Sequence, residues 1–333
     1  MNQDLEAVWE QLAADAAAHP GAGTMLIRVE PDSVLDLHAT VTSPDGRRGL
    51  VFGVASEAVV GLGELPASVG LEHLMMESVA GRRDIVLRLS DSTANELFEA
   101  LARDLLHVVA PARSDEEGLR LWMGRVAQWR RIFANGRFGL SPNRQRGLYA
   151  ELWMIREHMI PAIGPAAALA GWEGPRGGRD LQFPGASIEV KSSAATEPQA
   201  VRINSERQLD TIGCPRLYLA HVSLAVEAGK GETLPQMVDS LRALVADSAG
   251  AVLFDDGLLG VGYLAAHESR YQRAGYAIRR ESFFEVKDGF PRILEADLPP
   301  GVGNVRYDLV LDVCEPFRVD SNAVVEDLLE GSE

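Results

Sequence analysis

The chain has 333 residues, 46% of them hydrophobic and 24% charged, and a net charge of −16, which leaves room for two domains or one decorated domain with a real core. No apolar run reaches the ~18 residues a membrane helix needs, and the acidic amphipathic start MNQDLEAVWEQL is not a signal peptide, so a cytoplasmic protein with no membrane partner is expected. A uniformly acidic surface repels a phosphate backbone, so nucleic acid would have to meet a local basic patch.

Residues 1–112 read as a small α/β unit of unknown role. A helix is expected over Gln3–Ala17, with strands at Met25–Val29, Val34–Thr42 and Gly49–Val54. The turn signal Ser43-Pro44-Asp45-Gly46 joins the last two as a hairpin. A strand at Asp84–Leu89 leads to a helix opened by the capping pattern Thr93-Ala94-Asn95-Glu96 and running to Val109. His73 and His107 lack nearby ligand partners and read as packing or surface residues. Cys214 and Cys314 have no metal-ligand spacing and read as small hydrophobes.

A second capping box, Ser114 to Glu117, opens a helix with Leu119, Trp122, Val126, Trp129 and Phe133 at core spacing. It is read as a linking helix at the start of a segment spanning 113–225. Residues 118–150 hold seven arginines (Arg120, Arg125, Arg130, Arg131, Arg137, Arg144 and Arg146) and no acid. They form either a solvated helix face or a phosphate-contacting surface.

A helix over Gln145–Met159 carries Glu151 at the border of its apolar stripe. Strands follow at Arg179–Phe183, Ala186–Ser192 and Ala200–Asn204, then a helix at Ser205–Thr211 carrying Gln208 and a strand at Arg216–Ala225. In Ala186–Ser192 the two-residue period sends Ile188, Val190 and Ser192 to one face and Glu189 and Lys191 to the other. The Pro184-Gly185 turn folds Leu181–Phe183 back as a hairpin, which brings Asp180, Glu189 and Lys191 to one sheet edge. Paired carboxylates repel unless a hard cation sits between them, and Mg²⁺ accepts few protein carboxylates plus waters. A lysine beside such a metal can orient water and offset charge growing on a phosphate. The set is suited to phosphodiester hydrolysis.

Asp180 followed by Glu189-Val190-Lys191 resembles the PD-(D/E)XK nuclease superfamily, and Tyr149-Ala150-Glu151-Leu152 resembles the glutamate-bearing helix of many members. Together with Trp172, Ser192 and Gln208-Leu209, the pattern is similar to an uncharacterised bacterial branch often suspected of roles in restriction or phage defence. Arg179 departs from that pattern, which has proline before the aspartate.

The resemblance implies a restriction-endonuclease-like α/β core, ordered α-β-β-β-α-β, with an N-terminal α/β unit and a C-terminal β-rich extension. It implies Mg²⁺, with Mn²⁺ as an alternative, held by Asp180, Glu189 and the Val190 carbonyl, and Glu151 as an outer ligand. Lys191 would align the water and Gln208 would place water or a phosphate. Ser193 is read as the better of two serines for the scissile backbone. DNA is the expected partner, with RNA left open. Double-strand cutting would call for a homodimer or partners in a defence complex. The alternative is a non-catalytic nucleic-acid- or partner-binding subunit of such a complex.

Residues 226–333 are read as an extension that completes the sheet or flanks it. It comprises a helix at Leu234–Asp247, strands at Leu258–Tyr263, Tyr276–Glu285 and Val305–Val313, and a frayed or weakly helical end. A second acid-x-lysine run, Glu285-Val286-Lys287, precedes the turn signal Asp288-Gly289 and reads as a solvated strand end.

Overall fold

The computed structural model describes all residues except 1–3, 20, 22, 61, 63–64, 66–69, 91–94, 135–138, 174–177, 197–198 and 330–333, and gives no side chains for 96, 131–134 and 266. Among the expected features, Thr93, Ala94 and Arg137, and the side chains of Glu96, Arg131 and Phe133, lie outside the described residues. The chain forms two compact units, Met1–Phe138 and Gly139–Glu333.

In the first unit, helix α1 (Leu5–Ala18) is capped by the Asp4 side chain, which accepts the Glu6 N–H at 3.1 Å. Strands β1 (Gly23–Arg28), β2 (Asp36–Ser43), β3 (Arg47–Ala55), β4 (Leu71–Glu77) and β5 (Arg82–Leu89) form an antiparallel sheet in the order β1-β2-β3-β5-β4. The β2–β3 hairpin turns at the expected Pro44-Asp45-Gly46, with Gly46 at φ 64. Helices α2 (Asn95–Val109) and α3 (Asp115–Ala134) complete the unit. The Ser114 hydroxyl caps α3 by accepting the Glu117 N–H at 3.2 Å.

The boundary expected at 112 is therefore displaced. Helix α3 belongs to the first unit because Trp122 and Trp129 are buried there: Trp122 Nε1 donates to His73 at 3.1 Å and Trp129 Nε1 to Asp104 at 2.6 Å. His73 is thus a core residue on β4, a strand the sequence reading missed.

The second unit opens with α4 (Pro142–Met154), capped by Ser141 and continued by a π-helical turn, Ile155–Met159. Two short helices, α5 (Ile160–Ile163) and α6 (Pro165–Ala170), lead to strands β6 (Leu181–Gln182), β7 (Ser187–Ser193), β8 (Ala200–Ile203) and β9 (Leu217–Ala228). After β10 (Glu232–Thr233) come α7 (Leu234–Val245), α8 (Gly250–Val261), α9 (Glu268–Tyr271), β11 (Ala274–Glu285), β12 (Tyr307–Val310), β13 (Arg318–Val319) and α10 (Ser321–Leu329). The main sheet runs β10-β11-β9-β7-β6, with β13 on β11. It is mixed: β7 and β9 are parallel and the other pairs antiparallel. A mixed sheet flanked by helices is the α/β class expected.

Within that frame four elements differ from expectation. Strand β8 pairs with β12 in a separate two-stranded sheet rather than joining the main one, since Val201 and Ile203 bury into a second core with Leu309 and Leu311. Residues 206–209 form turns, not a helix. The strand expected at Leu258–Tyr263 is the end of α8: Phe254, Leu258 and Val261 face the core at helical spacing, and left-handed Gly262 closes the helix. Helix α10 is docked rather than frayed, with Val324 and Leu328 buried. Of the two alternatives for residues 226–333, the segment completes the sheet: β10, β11 and β13 join β7 and β9 within the same unit.

Candidate active site

The hairpin register builds the site. Leu181 pairs with Ile188 and Gln182 with Ser187, and Phe183 N–H closes on Ala186 O at 2.9 Å around Pro184-Gly185. Continued by one residue, that register sets Asp180 opposite Glu189. The Val190 N–H donates to Asp180 Oδ2 at 2.8 Å, which ties the carboxylate to the strand it faces. Alternation along β7 sends Ile188 and Val190 into the helix-side core. Glu189 and Lys191 take the opposite face. Asp180, Glu189 and Lys191 thus converge.

They line one cavity of about 560 Å³, with Glu151, Arg144, Arg146, Arg179, Arg202 and Gln208 also in its wall. Glu189 is fully buried. Its Oε1 receives Lys191 Nζ at 2.7 Å and Gln208 Nε2 at 2.6 Å, while its Oε2 is buried without a hydrogen-bond partner. Gln208 Oε1 in turn accepts from Lys191 Nζ at 3.2 Å and from the Asn204 N–H at 2.7 Å. The turn at 206–209 delivers this amide to the site, not the helix that was expected.

Glu151 enters from α4. Trp172 Nε1 donates to its Oε2 at 3.0 Å. The indole fits because Gly257 of α8 has no side chain: a Cβ there would come within 2.4 Å of the ring. Burial, then repulsion from Asp180, lifts the Glu151 carboxyl to about 8, against the Trp172 bond. Glu189 is lifted to about 8 chiefly by burial, then by Asp180, with Lys191 and Arg179 opposing. Burial also raises Asp180, opposed by Lys191 and the Val190 N–H. Three carboxyls held above their usual range around one cavity make a place that favours a cation.

A divalent ion fits this donor set. The partnerless Glu189 oxygen, the adjacent Asp180 and the Val190 carbonyl are hard oxygen donors of the kind Mg²⁺ or Mn²⁺ takes alongside waters. Among the described residues no three acidic, histidine or cysteine side chains come together in metal-binding geometry, so Glu151 does not complete a three-carboxylate cluster with Asp180 and Glu189.

Residues 5–312 match the family model described as "Putative PD-(D/E)XK family member, (DUF4420)". The chain belongs to that family. Neither the curated proteins nor the solved structures contain a significant match. The family's name spells an acid-and-lysine pattern, and in this chain Asp180, Glu189 and Lys191 lie together on one cavity wall.

Other expectations do not hold at the site. Ser193 is turned away, sharing a 2.9 Å hydrogen bond with buried His221, and Ser192 lines the cavity instead. The arginine run is divided between the two units. Arg144 and Arg146 line the cavity, but Arg120, Arg125 and Arg130 belong to the first unit. Arg125 is buried in a two-pronged pair with Asp104, at 2.5 and 2.7 Å, so it holds α3 to α2 and is not open to phosphate. The reading missed Arg202 and Arg179 as cavity residues. For Arg179 a signal existed, its place directly before Asp180. No helix among the described residues is long and apolar enough to cross a membrane.

Proposed function

We propose that the chain is a divalent-metal-dependent nuclease that hydrolyses phosphodiester bonds, with DNA as substrate and Mg²⁺ or Mn²⁺ as cofactor. Glu189 carries this reading: a fully buried carboxylate with one oxygen held by Lys191 and Gln208 and the other unpartnered beside Asp180. Burying such a group costs stability that a merely structural strand would not retain. The cavity wall supports a phosphate-bearing substrate, since the Nε atom of Arg146 is a buried donor without a hydrogen-bond partner. Guanidinium donors match phosphate oxygens. The choice of DNA, and a setting in restriction or phage defence, follow from the superfamily likeness.

In this reading Asp180, Glu189 and the Val190 carbonyl hold the metal, with Glu151 as an outer partner. When bound, the ion supplies Lewis-acid stabilisation of the phosphate and lowers the pKa of water. Lys191 Nζ orients the attacking water and offsets charge growing on the phosphate. Gln208 holds Glu189 and Lys191 in mutual register through one amide. The water gives up a proton to solvent as its oxygen bonds to phosphorus, the bond to the leaving sugar oxygen breaks, and solvent returns a proton to that oxygen.

The experiment is cleavage of labelled single- and double-stranded DNA and RNA by the full chain, with Mg²⁺, with Mn²⁺ and with chelator. Metal-dependent cleavage of DNA is expected. One observation favours a second reading, a non-catalytic subunit of a defence complex: the 2.7 Å Lys191–Glu189 pair neutralises part of the site by itself. Nucleic-acid binding with no cleavage in any metal would select that reading.

A further inference from the structure

Gln208 is held by a segment with little structure of its own. Its turn is closed by two backbone bonds, Gln208 N–H to Ser205 O at 3.1 Å and Asp210 N–H to Arg207 O at 3.3 Å. Such a turn opens at small cost unless something outside it grips it. Three ties do so. Leu209 is buried in the second core, Arg292 donates to Leu209 O at 2.7 Å, and Arg179 Nη2 donates to Asp210 O and, at 3.3 Å, to Ile212 O.

The Arg179 tie differs from the others in what it joins. Its backbone is continuous with Asp180, whose carboxylate accepts the Val190 N–H, so one side chain connects the Asp180 segment to the turn carrying Gln208. Gln208 then reaches back to Glu189 and Lys191 and closes a ring of contacts around the cavity. The proline of the PD motif could donate nothing at this position.

We infer that Arg179 is a positioning residue, a latch that holds the 206–212 turn against the Asp180 strand and so keeps Gln208 in register with Glu189 and Lys191. The inference rests on the nuclease reading for its catalytic consequence, but the latch itself is measurable without catalysis. The guanidinium is suited to the task because its donors lie in a fixed plane. Lysine keeps the charge and a donor, so it would restore the grip in part.

Hydrogen exchange by mass spectrometry on the full chain reads the latch directly. In Arg179→Ala, exchange over 205–214 is expected to rise about tenfold, while Arg179→Lys recovers most of the protection. Arg207→Ala breaks only the exposed pair with Glu295 on the same turn and serves as the control; it leaves exchange unchanged. Cleavage reads the consequence: Arg179→Ala lowers kcat about tenfold with KM within threefold, and has no added effect in a Gln208→Ala background. Unchanged exchange in Arg179→Ala, an equal rise in Arg207→Ala, or additive losses in the double variant would overturn the latch. A wild-type chain that cleaves nothing would instead overturn the nuclease reading, with the exchange result still deciding the latch.

Discussion

The second unit contains the same tripeptide twice. Glu189-Val190-Lys191 lies on β7 and Glu285-Val286-Lys287 at the end of β11, two strands separated only by β9. In both, valine is buried and lysine pairs with the glutamate two residues before it. The surroundings separate them. The Glu189 side chain is 1% exposed and meets Asp180 and Gln208, whereas that of Glu285 is 28% exposed and its lysine 56%. After Lys287 the chain turns through Asp288-Gly289, with Gly289 at φ 85, and no hairpin carries an aspartate back to Glu285. Acid and lysine on alternate strand positions are therefore only half of a site. The other half is a second strand that returns a carboxylate, and a turn that sets the Gln208 amide against the buried glutamate.

That contrast can be broken most directly at the two lysines. Lys191→Ala removes a charge partner of the transition state and is expected to lower cleavage at least ~100-fold while DNA binding, measured by fluorescence anisotropy, survives. Equal cleavage by wild type and Lys191→Ala would make the two tripeptides equivalent. A melting curve must accompany the assay, because Glu189 is then left buried without its cation.

Next in size is metal affinity. Asp180→Asn removes one charged oxygen donor and should weaken Mn²⁺ binding, followed by calorimetric titration, by at least ~10-fold. Glu285→Gln should leave the titration as in wild type. An unaltered isotherm for Asp180→Asn would remove Asp180 from the donor set.

A smaller effect lies in the stability of the metal-free protein. Glu151 and Glu189 are raised from 4.5 to about 8, so between those values the folded chain binds more protons than the unfolded chain. Stability then falls as pH rises through that window, and is least above about 8. Glu151→Gln keeps an acceptor for the Trp172 indole and loses the buried charge. It is expected to raise the metal-free Tm at pH 8 by roughly 3–6 °C, with little change at pH 5. Calorimetric scans at the two pH values check this, and a fall in Tm at pH 8 would count against it.

The smallest effect belongs to the second tripeptide. Glu285→Gln and Lys287→Ala break a largely exposed pair and should shift stability by no more than ~0.5 kcal/mol in denaturant titration, with cleavage unchanged. A loss of cleavage in either would give β11 a part in the site.

Much of the site was legible because its first ingredients are local. The two-residue period of β7 dictates that Glu189 and Lys191 share a face, and Pro184-Gly185 dictates that the chain returns, so Asp180 meets Glu189 within ten residues of sequence. The capping Ser114 and the hairpin at Pro44 to Gly46 act over similarly short spans.

What the sequence left open was decided by packing between distant segments. Leu258–Tyr263 has the apolar residues of a strand, and only the burial of Phe254, Leu258 and Val261 in one core makes it the end of a helix. Strand β8 has the alternation of a sheet member, but its partner is β12, about a hundred residues later. Arg125 belongs to a basic run in sequence and to Asp104 in space. Gln208 reaches Glu189 because Leu209 buries in the second core and Arg179 and Arg292 hold the turn's carbonyls. Alternation and turn chemistry choose the face a side chain takes, since they depend on a few neighbouring dihedrals. The partner on that face is chosen by which apolar surfaces bury together across the whole unit, and that choice exists only once the unit is folded.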